Sequence, residues 1–323
     1  MKRNRSGFTR MLGVLYKAIT DVIVPVSAGD KETFIADGVI FKVSYVPAAT
    51  FPTGSDDSVD QKVDKSFWIG ETEVTYELWH AVKQWATDAT RGENRYAFQN
   101  AGMEGSETGG GLYPGYANIG KPPTAAKNEP VTMVSWCDAL VWCNALSEMS
   151  GKVPVYRTCD GTVIRSSVDN NASEIYGVEV KANNGFRLPT EHEWELAARW
   201  KNDSSSTNGS ILNNRRYWTP GNFASGATAD YNDATATQMA TLYNALKTHS
   251  VGSKPSVGNH LGLYDMSGNV WEWGWDVYAG SFRVVRGGAW FNSADYVTVA
   301  YRNGNIQNNM TNNIGFRVVC NRE

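Results

Sequence analysis

In Gly262-Leu-Tyr-Asp-Met-Ser-Gly-Asn-Val-Trp-Glu-Trp273, two carboxylates, Asp265 and Glu272, bracket a Gly-Asn turn. A tight turn exposes backbone carbonyls. Carboxylates together with carbonyls suit a hard cation such as calcium. The same residues also fit a plain turn that buries Trp271 and Trp273, because only two of the roughly six to eight oxygens that calcium takes are visible. The chain holds 12 tryptophans and 31 glycines in 323 residues. That pairing points to a loop-rich fold pinned by large aromatics, not to a helical bundle.

Hydrophobic residues make up 41% and charged residues 20%. This is enough apolar material to bury a core, and it excludes a wholly disordered chain. Lysine and arginine total 30 against 33 acids, for a net charge of -3. Duplex nucleic-acid binding through phosphate neutralisation uses a basic excess, so nucleic acid is not an expected partner. Cys137, Cys143, Cys159 and Cys320 make neither a disulfide framework nor a zinc spacing. No apolar run approaches the ~18 residues of a membrane span.

Residues 1–35 read as an amino-terminal extension. Basic residues at 2, 3, 5 and 10 precede an apolar stretch ending in Ser27-Ala28-Gly29, as in a secretory signal. Lys17 and Asp21 interrupt that stretch, and Met11, Leu15, Ile19 and Val22 fall at the spacing of a short amphipathic helix. No nearby cysteine could carry a lipid anchor.

Residues 36–323 show no fixed-period repeat and no composition break, so one domain is expected. Val39, Phe41, Val43 and Tyr45 alternate with polar residues and predict a half-buried strand. Residues 50–65 read as a loop, and Phe67–Gly70 as a second strand. Thr75 can cap a helix to about Ala86 with Leu78, Val82 and Trp85 on one face. Residues 90–130 read as a long loop. Ser135 with Asp138 resembles a capping box ahead of a helix burying Trp136, Leu140, Cys143 and Leu146, which Gly151 stops. Thr190 with Glu193 opens another helix, with Trp194, Ala197 and Ala198 inward. A short helix is predicted near 236–247, and strands around an asparagine-rich loop over 282–320. Short elements and long loops predict an α+β domain.

Familiar catalytic signatures are missing. His192-Glu193-Trp194-Glu195-Leu196 begins like a zinc-protease helix, but Leu196 stands where the second histidine must sit. Gly109-Gly110-Gly111 is followed by no lysine of a phosphate loop, and no Gly-x-Ser-x-Gly elbow occurs. His80, His192, His249 and His260 lie in unrelated contexts.

Six segments resemble, in order, the formylglycine-generating-enzyme (sulfatase-modifying factor) family. They are Phe67-Trp-Ile-Gly-Glu-Thr-Glu-Val-Thr75, Pro130-Val-Thr-Met-Val-Ser-Trp136, Gly185-Phe-Arg-Leu-Pro-Thr-Glu191, the stretch Gly262–Trp273, Arg286-Gly-Gly-Ala-Trp290 and Gly315-Phe-Arg-Val318. The resemblance spans about residues 40–320. It implies a variant of the C-type lectin fold with little regular structure, held by buried aromatics and bound calcium. It further implies a structural calcium site at Asp265 and Glu272, with carbonyls at Gly268 and Val270. The enzymes of the family use two cysteines after the Arg-Gly-Gly motif to handle copper and oxygen. The matching positions here are Asn292 and Val297, and neither supplies a thiolate. The sulfoxide-synthase branch adds an iron-binding helical domain that this sequence does not contain. A copper- and oxygen-dependent oxidase is therefore the disfavoured alternative, and no catalytic cofactor is expected.

The segment 283–320 is similar to the variable region of the variable proteins of diversity-generating retroelements, the treponemal one among them. It reads Arg283-Val-Val-Arg-Gly-Gly-Ala-Trp290, and later Ala300-Tyr-Arg-Asn-Gly-Asn-Ile-Gln-Asn-Asn-Met-Thr-Asn-Asn-Ile-Gly-Phe-Arg317. In such systems adenines of asparagine codons are mutagenised, so assorted residues interrupt an asparagine background. The resemblance implies a non-catalytic, receptor- or adhesin-like protein, secreted or on the cell surface, that binds a protein ligand on another cell or a host surface. Its variable face would comprise Ala289, Phe291, Asn292, Ser293, Asp295, Tyr296, Thr298, Tyr301, Asn303, Gly304, Asn305, Asn308, Asn309 and Thr311. Trp271, Trp273, Arg286, Trp290 and Arg317 would hold that face rigid. Composition alone also fits an inert polar loop. Tyrosine supplies contact area at low entropic cost, and serine and asparagine adapt their hydrogen bonds.

Overall fold

The computed structural model describes residues 26–106, 118–168, 179–180, 184–200, 247–253 and 259–321. The readings of the amino terminus before residue 26 and of a helix near 236–247 lie outside the described residues, save Lys247.

The first sheet begins at Lys31, inside the expected extension. Lys31–Ala36 (β1) turns at Asp37-Gly38 and returns antiparallel as Val39–Val46 (β2), with Lys31 opposite Ser44. Both turn residues have positive φ, 48° and 80°, the geometry that matches the twist of a two-residue hairpin. Phe34 stacks on Phe41 with ring centroids 5.4 Å apart. Ala49–Thr53 (β3) and Val59–Val63 (β4) form a second hairpin where the sequence reads as loop. Few of its side chains are buried, chiefly Phe51, Thr53 and Val63, so the alternation is too short to register.

Phe67–Gly70 (β5) is buried throughout and leads to Tyr76–Thr87 (α1). Thr75 caps α1, its Oγ1 accepting from Leu78 N at 3.2 Å. Met103–Glu104 (β6) pairs with Val131–Thr132 (β7). Trp136–Met149 (α2) starts at a complete Ser135/Asp138 capping box and is buried from Trp136 through Ser147. A helix enclosed on all sides loses the amphipathic stripe, and the predicted inward set was only part of what is buried. Tyr156–Arg157 (β8) pairs with Glu179–Val180 (β9), and Phe186–Arg187 (β10) precedes Glu191–Arg199 (α3), which the Thr190/Glu193 box opens.

The last part of the chain runs through Trp271–Ala279 (β11), Phe282–Arg286 (β12), Arg302–Ile306 (β13), Ile314–Gly315 (β14) and Val319–Asn321 (β15). One sheet has the order β1-β2-β5-β15-β10 and the other β13-β12-β11-β14. The asparagine-rich tract thus contains an edge strand, β13, in antiparallel register with β12 from Phe282↔Ile306 to Arg286↔Arg302.

Tryptophans join these layers. Trp79 and Trp142 stack at 5.9 Å, and the Phe316 edge meets Trp142 at 5.3 Å. Indole N–H groups reach main-chain carbonyls: Trp79 to Ala101 at 3.0 Å and Trp273 to Val134 at 3.2 Å, both in loops, and Trp136 to Gly274 of β11 at 2.9 Å. Each ring buries a large apolar area, and the donors of Trp79 and Trp273 each pin a loop, so irregular segments acquire fixed positions. This is the α+β layout of few short elements and long loops that the resemblance implies.

Candidate ligand-binding face

The segment from Ala289 to Thr311 joins β12 to β14 and carries a short 3-10 turn, Ala294–Val297, and β13. It begins after Gly287 and Gly288, whose φ values are 91° and 74°. A Cβ on Gly288 would overlap Val297 and stand 2.8 Å from the Tyr296 carbonyl oxygen, so only glycine fits.

Burial sorts the segment into two sets. Phe291, Ser293, Asp295, Tyr296, Asn303, Asn308 and Asn309 are exposed, and Asn292, Thr298, Tyr301, Gly304, Asn305 and Thr311 are half-buried. Trp290, Val297, Val299 and Gln307 are buried between them. Ala289 departs from expectation: it is 0% exposed and belongs to the core, so it cannot touch a ligand. Asn292 shapes its own turn. Its Oδ1 accepts from Ala289 N at 2.8 Å, and its N–H donates to Ala289 O at 2.9 Å.

The framework grips this segment by its main chain. Arg286, fully buried, donates to the carbonyls of Val299 at 3.1 Å, Ala300 at 2.9 Å and Tyr301 at 2.6 Å. Backbone N–H groups of Trp136, Met133 and Trp271 donate to the carbonyls of Gln307, Thr311 and Asn313 at 3.1, 3.0 and 2.8 Å. Trp290 Nε1 reaches the Asn312 carbonyl at 3.3 Å. Every residue has a carbonyl, so these bonds do not depend on which side chain it carries.

Two positions are tied to framework side chains. Gly304 lies under the ring of Tyr278, where a Cβ would come within 2.5 Å of Tyr278 Cδ1. Asn308 Oδ1 accepts from Cys137 Sγ at 3.4 Å. Burial pushes the Cys137 thiol up to about 12, so it stays protonated at neutral pH. Of the two positions that the resemblance matches to catalytic cysteines, Val297 is fully buried and Asn292 is spent on its turn.

The Asp265–Glu272 turn sits behind this face, with Asp265 and Asn269 at φ 56° and 62°. Asp265 Oδ2 accepts from Gly252 N at 2.6 Å. Glu272 forms a fully buried bidentate pair with Arg317, both bonds 2.6 Å long, and also accepts from Trp194 Nε1 at 2.8 Å. Beside them, Glu73 is 1% exposed and neither of its oxygens has a hydrogen-bond partner, while Asp265 and Glu272 act on it as like charges. Burial first, and then the like charge of Asp265, push the Glu73 carboxyl well above the ordinary range, so it favours its neutral form, and a divalent cation beside it would favour the ionised one. Among the described residues no three of His, Cys, Asp or Glu form a metal-holding group, so carbonyls would have to supply most of the ligands. Glu272 could join them only by sharing its carboxylate with Arg317.

Sequence reading did not find Tyr278, nor the buried Glu195, which pairs with Arg286 at 2.7 Å and with Arg199 at 3.0 Å. Glu195 and Arg199 do stand at i and i+4 in a predicted helix, the one signal available. Arg286 is remote in sequence and only the fold brings it there.

The family model of the sulfatase-modifying factor enzyme 1-like domain matches residues 36–322. The chaperone protein LppX of Paenibacillus barcinonensis is 28% identical over 299 residues, 89% of this chain and 90% of that protein. The inactive C-alpha-formylglycine-generating enzyme 2 of Mus musculus is 36% identical over 143 residues, 41% of this chain and 42% of that protein. The solved structure of Treponema denticola variable protein 1 has a TM-score of 0.64 at 27% identity, covering 93% of this chain and 100% of that one. With a family match that runs almost the length of the chain, and with the same fold in a solved relative, the chain belongs to the sulfatase-modifying factor enzyme 1-like family.

Proposed function

We propose that this is a non-catalytic, receptor- or adhesin-like binding protein whose face between residues 289 and 311 is diversified by a retroelement to change its ligand. The main-chain grip on the segment carries this reading. A side chain held only through its own carbonyl can be exchanged without breaking the framework, and a preordered face loses less entropy on binding. The face has the chemistry of a paratope, with exposed Phe291 and Tyr296 and half-buried Tyr301 as aromatic anchors among Asn and Ser. Tyr296 and Tyr301 lie 4.9 Å apart. The likeness to Treponema denticola variable protein 1 along the whole of that chain supports the same reading. The ligand is a protein on another cell or on a host surface, and the protein itself is displayed or secreted. No helix among the described residues is long and apolar enough to cross a membrane.

The alternative is a copper- and oxygen-dependent oxidase of the formylglycine-generating type. Asn292 and Val297 at the aligned cysteine positions speak against it, and one relative is itself named inactive. A copper-supplemented peptide-oxidation assay is expected to show no turnover, and turnover would overturn the non-catalytic reading. Diversification is tested by sequencing codons 282–320 across many clones of the source strain. Differences confined to adenine positions of a nearby imperfect copy are expected. An invariant segment without such a copy would sink that part of the proposal.

Within this reading a structural calcium ion neutralises the acidic turn. Asp265, the carbonyls of Gly268 and Val270, and Glu272 would hold it.

A further inference from the structure

Below the exposed residues of the face lies a cleft of about 1170 Å³. One wall is the tip of the β3–β4 hairpin, and the other is the segment from Asp295 to Arg302. Helix α3 contributes Glu191, His192 and Glu195.

The two walls are tied together by buried charge. Arg199, 0% exposed, donates to the carbonyls of Pro52 at 2.7 Å and Gly54 at 2.9 Å and pairs with Asp57 at 2.6 Å, which holds the hairpin tip. Glu195 joins Arg199 to Arg286, and Arg286 holds the carbonyls of the opposite wall. A buried ion chain returns little net stability, because desolvation offsets most of the attraction. What this one does is set the distance between a constant wall and a changeable wall.

The charges left facing the cleft are acidic. Arg302 neutralises Glu191 through contacts of 2.5 and 2.8 Å. Glu195 is paired as above. Asp56 remains on the hairpin, where hydrogen bonds from the Ser58 hydroxyl and then its N–H hold the carboxyl below the usual range. Asp295 lines the opposite wall and is exposed. The Tyr301 ring lies between Asp295 and Arg302 in the chain and lines the same space. Carboxylates and an aromatic ring that line one cleft suit a guanidinium or ammonium group.

We propose that this cleft takes a basic side chain of the protein ligand, with Asp56 as a contact common to all variants and Asp295 and Tyr301 as contacts that diversification can change. The proposal rests on the binding reading above.

The test is an NMR titration of the full chain with Nα-acetyl-arginine amide, using the neutral isostere Nα-acetyl-citrulline amide as control. Saturable shifts at Asp56, His192 and Tyr301 are expected for the arginine compound alone. Asp56→Asn and Asp295→Asn should each weaken binding about threefold, as for an exposed ion pair, and the double variant should weaken it about tenfold. Both side chains are solvent-facing, so the melting temperature of each variant should match the parent and exclude misfolding. Equal shifts with the citrulline compound, or unchanged binding by the double variant, would overturn the proposal. That failure would leave the diversification reading untouched, since clone sequencing decides it separately.

Discussion

Arg286 Nη1 donates to the main-chain carbonyl of Tyr301 at 2.6 Å, while the Tyr301 side chain lies outside that bond. The framework therefore holds residue 301 without regard to its identity. Tyr301→Asn should cost no more than about 1 kcal/mol. Arg286→Ala leaves Glu195 buried with one partner fewer and frees three carbonyls, so it should cost about 3–5 kcal/mol. Urea denaturation of both variants checks this, and similar costs for the two would refute the main-chain grip.

Tyr278 covers Gly304, and a side chain at 304 must push it aside. Gly304→Asn should be destabilising in the parent and close to neutral in a Tyr278→Ala background. A coupling of at least about 0.5 kcal/mol in the double-mutant cycle is expected. Additive effects would show that the two residues are independent.

The edge strand β13 covers its own donors. Asn303 Oδ1 accepts from Gly304 N and Asn305 Oδ1 from Ile306 N, each at 2.8 Å. Unpaired edge donors invite another strand. Asn303→Ala with Asn305→Ala should raise self-association in sedimentation velocity, while the Asp double variant, which keeps the acceptors, should not. A monomeric alanine variant at high concentration would show that the caps do not guard this edge.

Calcium removal bears on the acidic turn. Melting in EGTA is expected at a lower temperature than in millimolar calcium, with magnesium less effective because it demands a tighter octahedral cage. Asp265→Asn should shrink the difference. Identical melts with and without calcium would remove the ion from the proposal.

Acid should act through Glu193. Burial raises its pKa, but the Arg187 charge and hydrogen bonds, 2.6 and 2.7 Å long, outweigh burial and leave it below the ordinary 4.5. A depressed folded pKa adds stability that is fully present above the unfolded value. That stability fades as pH falls from 4.5 through the lower folded value. Glu193→Gln should lower stability at neutral pH and flatten the acid limb of the melting curve. An unchanged acid limb would assign acid sensitivity to other carboxylates.

Local chemistry was legible where it acts locally. The caps at Thr75, Ser135 and Thr190 depend on residues three apart, and all three start helices as predicted. Phe67–Gly70 is an unbroken apolar run and is a strand. The β3–β4 hairpin was missed because most of its side chains face solvent, and β13 because asparagine disfavours strands in isolation. Ala289 falls at the start of the segment matched to the variable region, between Gly288 and Trp290, and nothing local in the sequence shows that its side chain is in the core.

By itself the sequence determined the family, the three helix starts, the tryptophan-rich core and the position of the asparagine-rich segment, since each is written in adjacent residues or ordered motifs. Only the tertiary structure decided which residues of that segment face outward. It also decided that Arg286 holds them by carbonyls, and that Asp57, Arg199 and Glu195 tie the hairpin to the same wall. Those relations join residues far apart in the chain, and burial and charge pairing exist only once the chain has closed around them.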